Sequence, residues 1–174
     1  PFGRGKRYLS QAGGFAQRED VRAFIEEMHE RHGFDRVRLT RLFGQAQPQA
    51  KAIQAILPPK DPSVRSWQAY RARFVEPNRI EGGLRFWQAY RQTLEAARRT
   101  YGVPEEIIVA IIGIETIYGR NVGKFPALAT LATLAFDYPP RAELFRRELE
   151  ALLLLARESH RSPIAYSGSY AGAL

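Results

Sequence analysis

The segment PEEIIVAIIGIETIYG, residues 104–119, is one of the most apolar in the chain. It predicts a helix from Pro104 to Tyr118, because proline suits the first helical position and Gly119 can take the left-handed conformation that ends a helix. Apart from its acids the segment is strongly apolar, which is typical of a helix that packs in a core.

Glu115 stands near the end of this helix, where most neighbouring residues are apolar. At helical spacing it shares a face with three isoleucines, Ile108, Ile111 and Ile112. Loss of water there would disfavour the ionised carboxylate and favour an acid that keeps its proton, as a general acid must. The alternative is a buried ion pair with an arginine, Arg120 being the nearest in sequence. The helix alone leaves both roles open.

Helical periodicity recurs along the rest of the chain, and strand alternation hardly appears. We predict further helices over residues 19–32, 35–43, 49–56, 61–70, 78–101 and 142–159, and a short apolar helix or turn over residues 128–136. Gly82-Gly83 is a candidate break in the longest of them. The last helix should bury six apolar side chains, those of Leu144, Phe145, Leu149, Leu152, Leu153 and Leu155. The fold class is therefore mainly α.

One pentapeptide, WQAYR, occurs twice, at residues 67–71 and 87–91. Two copies do not make a stacked-repeat fold, which needs at least three units. Aromatic residues at helical spacing favour packing of each Trp and Tyr into the core. Tyr70 has an alternative role on the wall of a groove, where its ring can contact a sugar and its hydroxyl can form a hydrogen bond.

Composition limits the class of protein without naming a function. With 174 residues, 45% of them hydrophobic, the chain can form one domain or two small ones. No apolar run is long enough to cross a bilayer, and no leader peptide is visible. The absence of cysteine excludes disulfides and thiolate metal sites.

The formal net charge of +8 predicts attraction to polyanions such as nucleic acid, anionic lipid or an acidic glycan. The basic residues are scattered among acids, which is typical of a solvated, mixed-charge surface. Two functions remain as alternatives to a catalytic role for Glu115: a basic nucleic-acid-binding helical domain and a noncatalytic glycan-binding domain.

Several ordered motifs resemble the lytic murein transglycosylases of the B type, bacterial enzymes that cleave peptidoglycan. The resemblance covers most of residues 60–174. The motifs that carry it are YGVPEEII at 101–108, GIET at 113–116 with Gly119-Arg120, ATL at 129–131 through FDYP at 136–139, ELE at 148–150, and GSYAGA at 168–173. It implies a helical domain, residues 1–100, packed on the N-terminal part of a lysozyme-like catalytic core, residues 101–174.

The resemblance also places the catalytic carboxylate at Glu115. This residue would protonate the glycosidic oxygen between N-acetylmuramic acid and N-acetylglucosamine, and then accept a proton from the muramyl C6 hydroxyl as a 1,6-anhydro ring closes. Such an enzyme needs no second carboxylate, because no water attacks. We predict no cofactor and no metal site for this chain. Asp137, which stands directly before Tyr138-Pro139, is predicted to serve a turn or helix cap.

Three further positions correspond to substrate contacts in the family: Tyr70, Arg141 and Ser169. Arg141 could bind substrate carboxylates with two parallel hydrogen bonds. Pro140 replaces an arginine that is common in the family, and Tyr118 replaces a tryptophan but keeps an aromatic wall.

The implied partners are glycan strands of peptidoglycan and cell-wall synthesis proteins, with no nucleic acid. The implied location is periplasmic, with outer-membrane association through a lipid anchor outside this chain. In the family, the GSYAGA segment continues into a motif with Gln-Phe, a calcium-binding loop and further helices. We therefore expect this chain alone to be inactive or weak and to bind no calcium.

Overall fold

The computed structural model describes residues 14–57 and 66–169. The helices in these ranges are α1 (Glu19–His32), α2 (Arg36–Gln45), α3 (Ala50–Ile56), α4 (Trp67–Phe74), α5 (Pro77–Ala89), α6 (Arg91–Tyr101), α7 (Glu105–Thr116), α8 (Ala127–Asp137) and α9 (Ala142–Glu158). Two short strands, β1 (Phe125–Pro126) and β2 (Ser167–Gly168), pair antiparallel. The prediction of a mainly α fold is confirmed.

Contacts between Cα atoms divide the chain into two compact units, the first of residues 1–57 and 124–174 and the second of residues 58–123. The predicted domain boundary between residues 100 and 101 lies inside the second unit, because α6 and α7 pack together there. The division into a helical domain and a catalytic core remains a prediction. Within the described ranges, no helix combines the length and the apolar character needed to cross a bilayer.

The core of the first unit surrounds α8, in which every residue from Ala127 to Phe136 is buried. α9 packs along α8 and buries one stripe of its surface, formed by Phe145, Leu149, Leu152, Leu153 and Ala156. Leu144 and Leu155, which were predicted to be buried, are 37% and 41% exposed. That prediction was wrong for these two leucines, because the stripe of α9 that is buried is narrower than the stripe of apolar residues in its sequence.

The second unit contains α4 to α7 and has a small core. The buried residues of these four helices are Gly82, Gly83, Leu94, Val109 and Gly113. The predicted inward packing of the WQAYR aromatics is wrong for Trp67, Tyr70 and Tyr90, which are all exposed.

Two helix boundaries in this unit differ from the sequence prediction. The helix predicted over residues 78–101 is divided at Tyr90 (φ −113°, ψ 21°) into α5 and α6, whereas Gly82-Gly83 continues the helix. α4 begins at Trp67, and the side chain of Ser66 caps it by accepting the backbone N–H of Ala69. The start predicted near residue 61 lies outside the described residues.

Candidate active site

The helix that carries Glu115 is attached to its neighbours at its first turn. The Trp87 Nε1–H donates to Glu105 Oε2 over 2.7 Å, and Arg98 Nε lies 3.4 Å from Glu105 Oε1. Pro104 is the N-cap of α7, one position before its predicted place. Glu105 therefore fixes the start of α7 against α5 and α6.

The other end of α7 is closed by three consecutive left-handed residues, Ile117, Tyr118 and Gly119, with φ angles of 51°, 58° and 81°. α7 ends at Thr116, two residues earlier than predicted, because the left-handed turn starts at Ile117. A β-branched residue rarely adopts a positive φ, and such strain costs about 1–3 kcal/mol. The end of the helix must therefore be held by other contacts.

Thr116 and Gly113 supply those contacts. Thr116 Oγ1 donates to the carbonyl oxygen of Ile112 over 2.9 Å and accepts the N–H of Gly119 over 2.9 Å. The Gly113 carbonyl oxygen accepts the N–H of Ile117 and also Nη1 of Arg79, at 3.2 and 2.9 Å. Glu115 is thus the penultimate residue of a helix whose last turn is tightly bonded.

Tyr118 packs its ring into a notch that three glycines leave open. A Cβ atom on Gly113 would lie 2.5 Å from Tyr118 Oη, and one on Gly83 would lie 2.7 Å from the same atom. A Cβ atom on Gly82 would come within 3.1 Å of the ring. Contacts shorter than 3.0 Å exclude a larger residue at Gly113 and Gly83 without movement of Tyr118, and the contact at Gly82 would be tight. The notch joins the turn after Glu115 to α5.

Glu115 itself is exposed, together with Ile111 and Ile114 on the same helix. The expectation that apolar residues would bury its carboxylate is wrong for this chain, because that side of α7 is exposed rather than packed. Among the ion pairs within residues 14–57 and 66–169, none includes Glu115, so the predicted alternative of a pair with Arg120 does not form.

The other three predicted site residues are divided between the units. Tyr70 belongs to the second unit with Glu115, is 46% exposed, and stacks between Trp67 and Phe74 with ring centroids 6.0 and 4.4 Å away. Arg141 and Ser169 belong to the first unit, where Arg141 is exposed and Ser169 is half-buried directly after β2.

Asp137, the acid in the FDYP motif, is mostly buried and forms an ion pair with Arg18. Arg18 also binds both carboxylate oxygens of Asp20 and the carbonyl oxygen of Phe136. Burial would lower the pKa of Arg18, but its hydrogen bonds to Asp20 and Asp137 outweigh burial and raise it. Asp137 therefore joins the end of α8 to the start of α1 through an ion pair, rather than through the predicted turn or helix cap.

The glycine notch was missed by the sequence analysis, which interpreted Gly82-Gly83 as a break. A signal was present, since Gly113 and the glycine pair are small residues inside apolar helices, a pattern typical of close packing. Groups of three His, Asp or Glu side chains able to hold a metal ion are absent from the described part of the chain.

Comparison with known proteins adds a family. The model of the transglycosylase SLT domain matches residues 16–174. Membrane-bound lytic murein transglycosylase B of Escherichia coli (strain K12) is 40% identical over 175 residues, which cover 95% of this chain and 48% of the relative.

Solved structures agree with that match. The lytic transglycosylase SLT35 of Escherichia coli, in complex with bulgecin A, superposes with a TM-score of 0.84 at 40% identity, covering 96% of this chain and 54% of that one. Catenated SltB1 from Pseudomonas aeruginosa gives a TM-score of 0.85 at 42% identity, with coverage of 92% and 52%. SltB3 from Pseudomonas aeruginosa, in complex with NAG-anhNAM-pentapeptide, gives 0.74 at 26% identity, with coverage of 89% and 41%. The chain spans about half the length of these relatives.

Proposed function

Because the chain belongs to the family of transglycosylase SLT domains, we propose that it carries the catalytic acid of a peptidoglycan lytic transglycosylase, and that this acid is Glu115. The activity cleaves the β-1,4 bond between N-acetylmuramic acid and N-acetylglucosamine and leaves a 1,6-anhydro sugar. The relatives are lytic transglycosylases by name, and one was solved with an anhydro-muramyl peptide.

The observation that supports this role best is the setting of Glu115. Its side chain is exposed and has no ion-pair partner among the described residues, so a substrate can approach it. The backbone beneath it is fixed by Thr116, Gly113 and the Tyr118 notch. General acid catalysis requires a carboxyl group that the substrate can reach on a backbone that is fixed in place, and these contacts provide both.

The reaction needs two proton transfers through the same carboxyl group. Glu115 first gives its proton to the glycosidic oxygen, so that the bond to C1 breaks and N-acetylglucosamine leaves with a hydroxyl. The C6 hydroxyl oxygen of the muramyl residue then forms a bond to C1, and its proton passes to Glu115. The 2-acetamido oxygen of the substrate assists at C1, as in substrate-assisted glycosidases. The acid is restored, and no water is consumed.

Tyr70, Arg141 and Ser169 are proposed as substrate contacts. The exposed ring of Tyr70 can stack on a sugar, and the exposed guanidinium of Arg141 can bind a peptide carboxylate with two parallel bonds. The proposed partners are peptidoglycan glycan strands and cell-wall synthesis proteins. The proposed location is the periplasm, with an anchor to the outer membrane.

The test is the Glu115→Gln variant of the complete natural protein, digesting purified peptidoglycan. We expect release of anhydro-muropeptides to fall by roughly 10²-fold or more, because loss of a general acid typically costs 10²–10⁴-fold in rate. Binding to sacculi should stay near the wild-type level. The matched control is Glu106→Gln, which removes an exposed acid from the first turn of the same helix. Equal cleavage by both variants would assign the acid elsewhere, and binding without cleavage by the wild type would favour a noncatalytic glycan-binding domain.

A further inference from the structure

A cavity of about 540 Å³ lies in the first unit between the start of α2 and the end of α9. Its apolar lining includes Leu39, Leu42, Leu153, Ala156 and Pro163. Small-molecule sites typically have volumes of roughly 300–1,000 Å³ and mostly apolar walls. Neither Glu115 nor any other residue of the proposed catalytic site lines this cavity, so its chemistry needs a separate explanation.

The cavity is rimmed by positive charge. Three arginines, Arg38, Arg157 and Arg161, line it together with His160, whereas Asp35 is the single acid in the lining. The Asp35 carboxylate is already engaged, because it accepts the backbone N–H of Arg38 as the cap of α2. Across the described ranges, none of the ion pairs involves these three arginines. An anion can therefore bind here without displacing a carboxylate.

Two of the guanidinium groups are held in place before any ligand arrives. The Arg157 guanidinium carbon lies 4.5 Å from the centroid of the Phe34 ring, and its Nη1 donates to the carbonyl oxygen of His32 over 2.7 Å. Arg161 lies 4.8 Å from the centroid of the Tyr166 ring. The bond to His32 uses one of the five N–H donors of Arg157. Side chains fixed in this way lose less conformational entropy when they bind.

The backbone around the cavity is compatible with an anion. The α2 dipole contributes positive charge at its N-terminal end, where Asp35 and Arg38 lie. At the C-terminal end of α9, carbonyl groups that would repel an anion are bonded: the oxygen of Ala156 accepts from Arg161 N at 2.9 Å, and that of Arg157 from His160 N at 3.2 Å.

We propose that this cavity binds a small amphipathic anion, with its carboxylate or phosphate held by Arg38, Arg157 and Arg161 and its short apolar tail on Leu42 and Leu153. The head group follows from the arginine forks, which match the oxygens of either anion. The tail follows from the leucine floor, which binds apolar surface in proportion to the area removed from water. The site is independent of glycan cleavage.

Titration of the isotope-labelled 174-residue chain, followed through its backbone amide NMR signals, tests the proposal. The probes are hexanoate, hexyl phosphate, hexanol and acetate. We expect saturable shifts at Leu39, Leu42 and Leu153 with at least one six-carbon anion, and the tighter of the two identifies the head group. Hexanol and acetate should each bind at least roughly tenfold more weakly than the tighter six-carbon anion, because hexanol lacks the charge and acetate lacks the apolar tail. Hexanol binding as tightly as the anions, acetate binding as tightly as hexanoate, or no saturable shift with any probe would each overturn the proposal.

Variants locate the charge. The double variant Arg38→Gln, Arg161→Gln should weaken binding of the tighter anion by roughly tenfold, since both side chains are exposed and charged hydrogen bonds are lost. The control is Arg147→Gln, on an exposed residue of α9 that does not line the cavity and lies ten residues, or about 15 Å of helix rise, before Arg157. It should change the affinity less than twofold, because salt screens its charge over that distance. Thermal unfolding verifies that all variants are folded. A double variant that binds like the wild type, or a control that loses as much affinity, would contradict the site.

Discussion

Tyr118 and its three glycines determine how the turn after Glu115 is built. Tyr118 has a positive φ and follows Ile117, which has one too, so the turn carries backbone strain. The ring of Tyr118 fills the space over Gly82, Gly83 and Gly113, and its centroid is 5.7 Å from that of Phe86. Packing of one ring therefore offsets the strain of the turn and fixes the position of the proposed acid.

The notch makes a prediction that separates Gly83 from Gly113. Gly83→Ala should destabilise the protein by about 1–3 kcal/mol, because the new methyl group meets Tyr118 Oη. In a Tyr118→Phe background the contact with Oη is gone, and the next atom, Cζ, lies 3.2 Å away, a tight contact that a small shift can relieve. The cost of alanine should then fall by at least ~1 kcal/mol. Chemical denaturation of the single and double variants measures both values.

Gly113→Ala provides the contrast. Its methyl group would meet Cζ and Cε1 of Tyr118 at 2.6 and 2.8 Å as well as Oη, so Tyr118→Phe should not restore stability. Equal rescue at both glycines, or none at Gly83, would show that Tyr118 does not occupy the notch.

At the scale of single elements, the helix boundaries that the sequence could predict are those marked by a residue such as glycine or proline. α1 has its predicted bounds, since Gly33 takes the left-handed conformation at its end. The division at Tyr90 and the end of α7 before Ile117 were missed, because neither position has a glycine or proline. Periodicity likewise identified Glu115 as an acid on an apolar helix, but it could not show whether another element covers that face. Exposure depends on tertiary contacts.

α8 contains a matched pair of buried threonines that allows a test of how elements are joined. Thr133 Oγ1 donates to the carbonyl oxygen of Ala129 over 2.7 Å and accepts the N–H of Gln49, the N-cap of α3, over 2.9 Å. Thr130 Oγ1 is equally buried, but it has no hydrogen-bond partner in the described part of the chain.

Thr133→Val should therefore cost about 1 kcal/mol, because the part-buried N–H of Gln49 loses its partner. Thr130→Val should be neutral or stabilising, since it replaces an unpaired hydroxyl by a methyl group of similar size. Urea denaturation of both variants gives the comparison. Similar losses in the two variants would mean that the Thr133 hydroxyl does not connect α8 to α3.

At the scale of the whole molecule, the proposed activity depends on more than the acid. Glu115 and the apolar residues Ile107, Ile111 and Ile114 are all exposed on α7, and the chain spans about half the length of its relatives. Enclosure of the reacting atoms strengthens electrostatic catalysis and excludes water from reactive intermediates. The described residues give Glu115 no such enclosure.

We therefore expect the 174-residue chain, assayed alone on purified peptidoglycan, to release anhydro-muropeptides more slowly than the full-length Escherichia coli relative. The difference should be at least roughly 10²-fold, because general acid catalysis contributes about that much in an assembled site. Equal molar amounts of the two proteins, compared by product chromatography, give the ratio. Turnover as fast as that of the relative would show that the chain builds a complete site.

The central claim is that one carboxylate serves both proton transfers while the muramyl C6 hydroxyl, not water, attacks the sugar. The most direct measurement is the mass of the muropeptides that the complete natural protein releases in heavy-oxygen water. The account predicts 1,6-anhydro products, one water lighter than hydrolysed ones and free of the heavy isotope. Products that carry the heavy oxygen at the reducing end would contradict it, because they would show that water attacks C1.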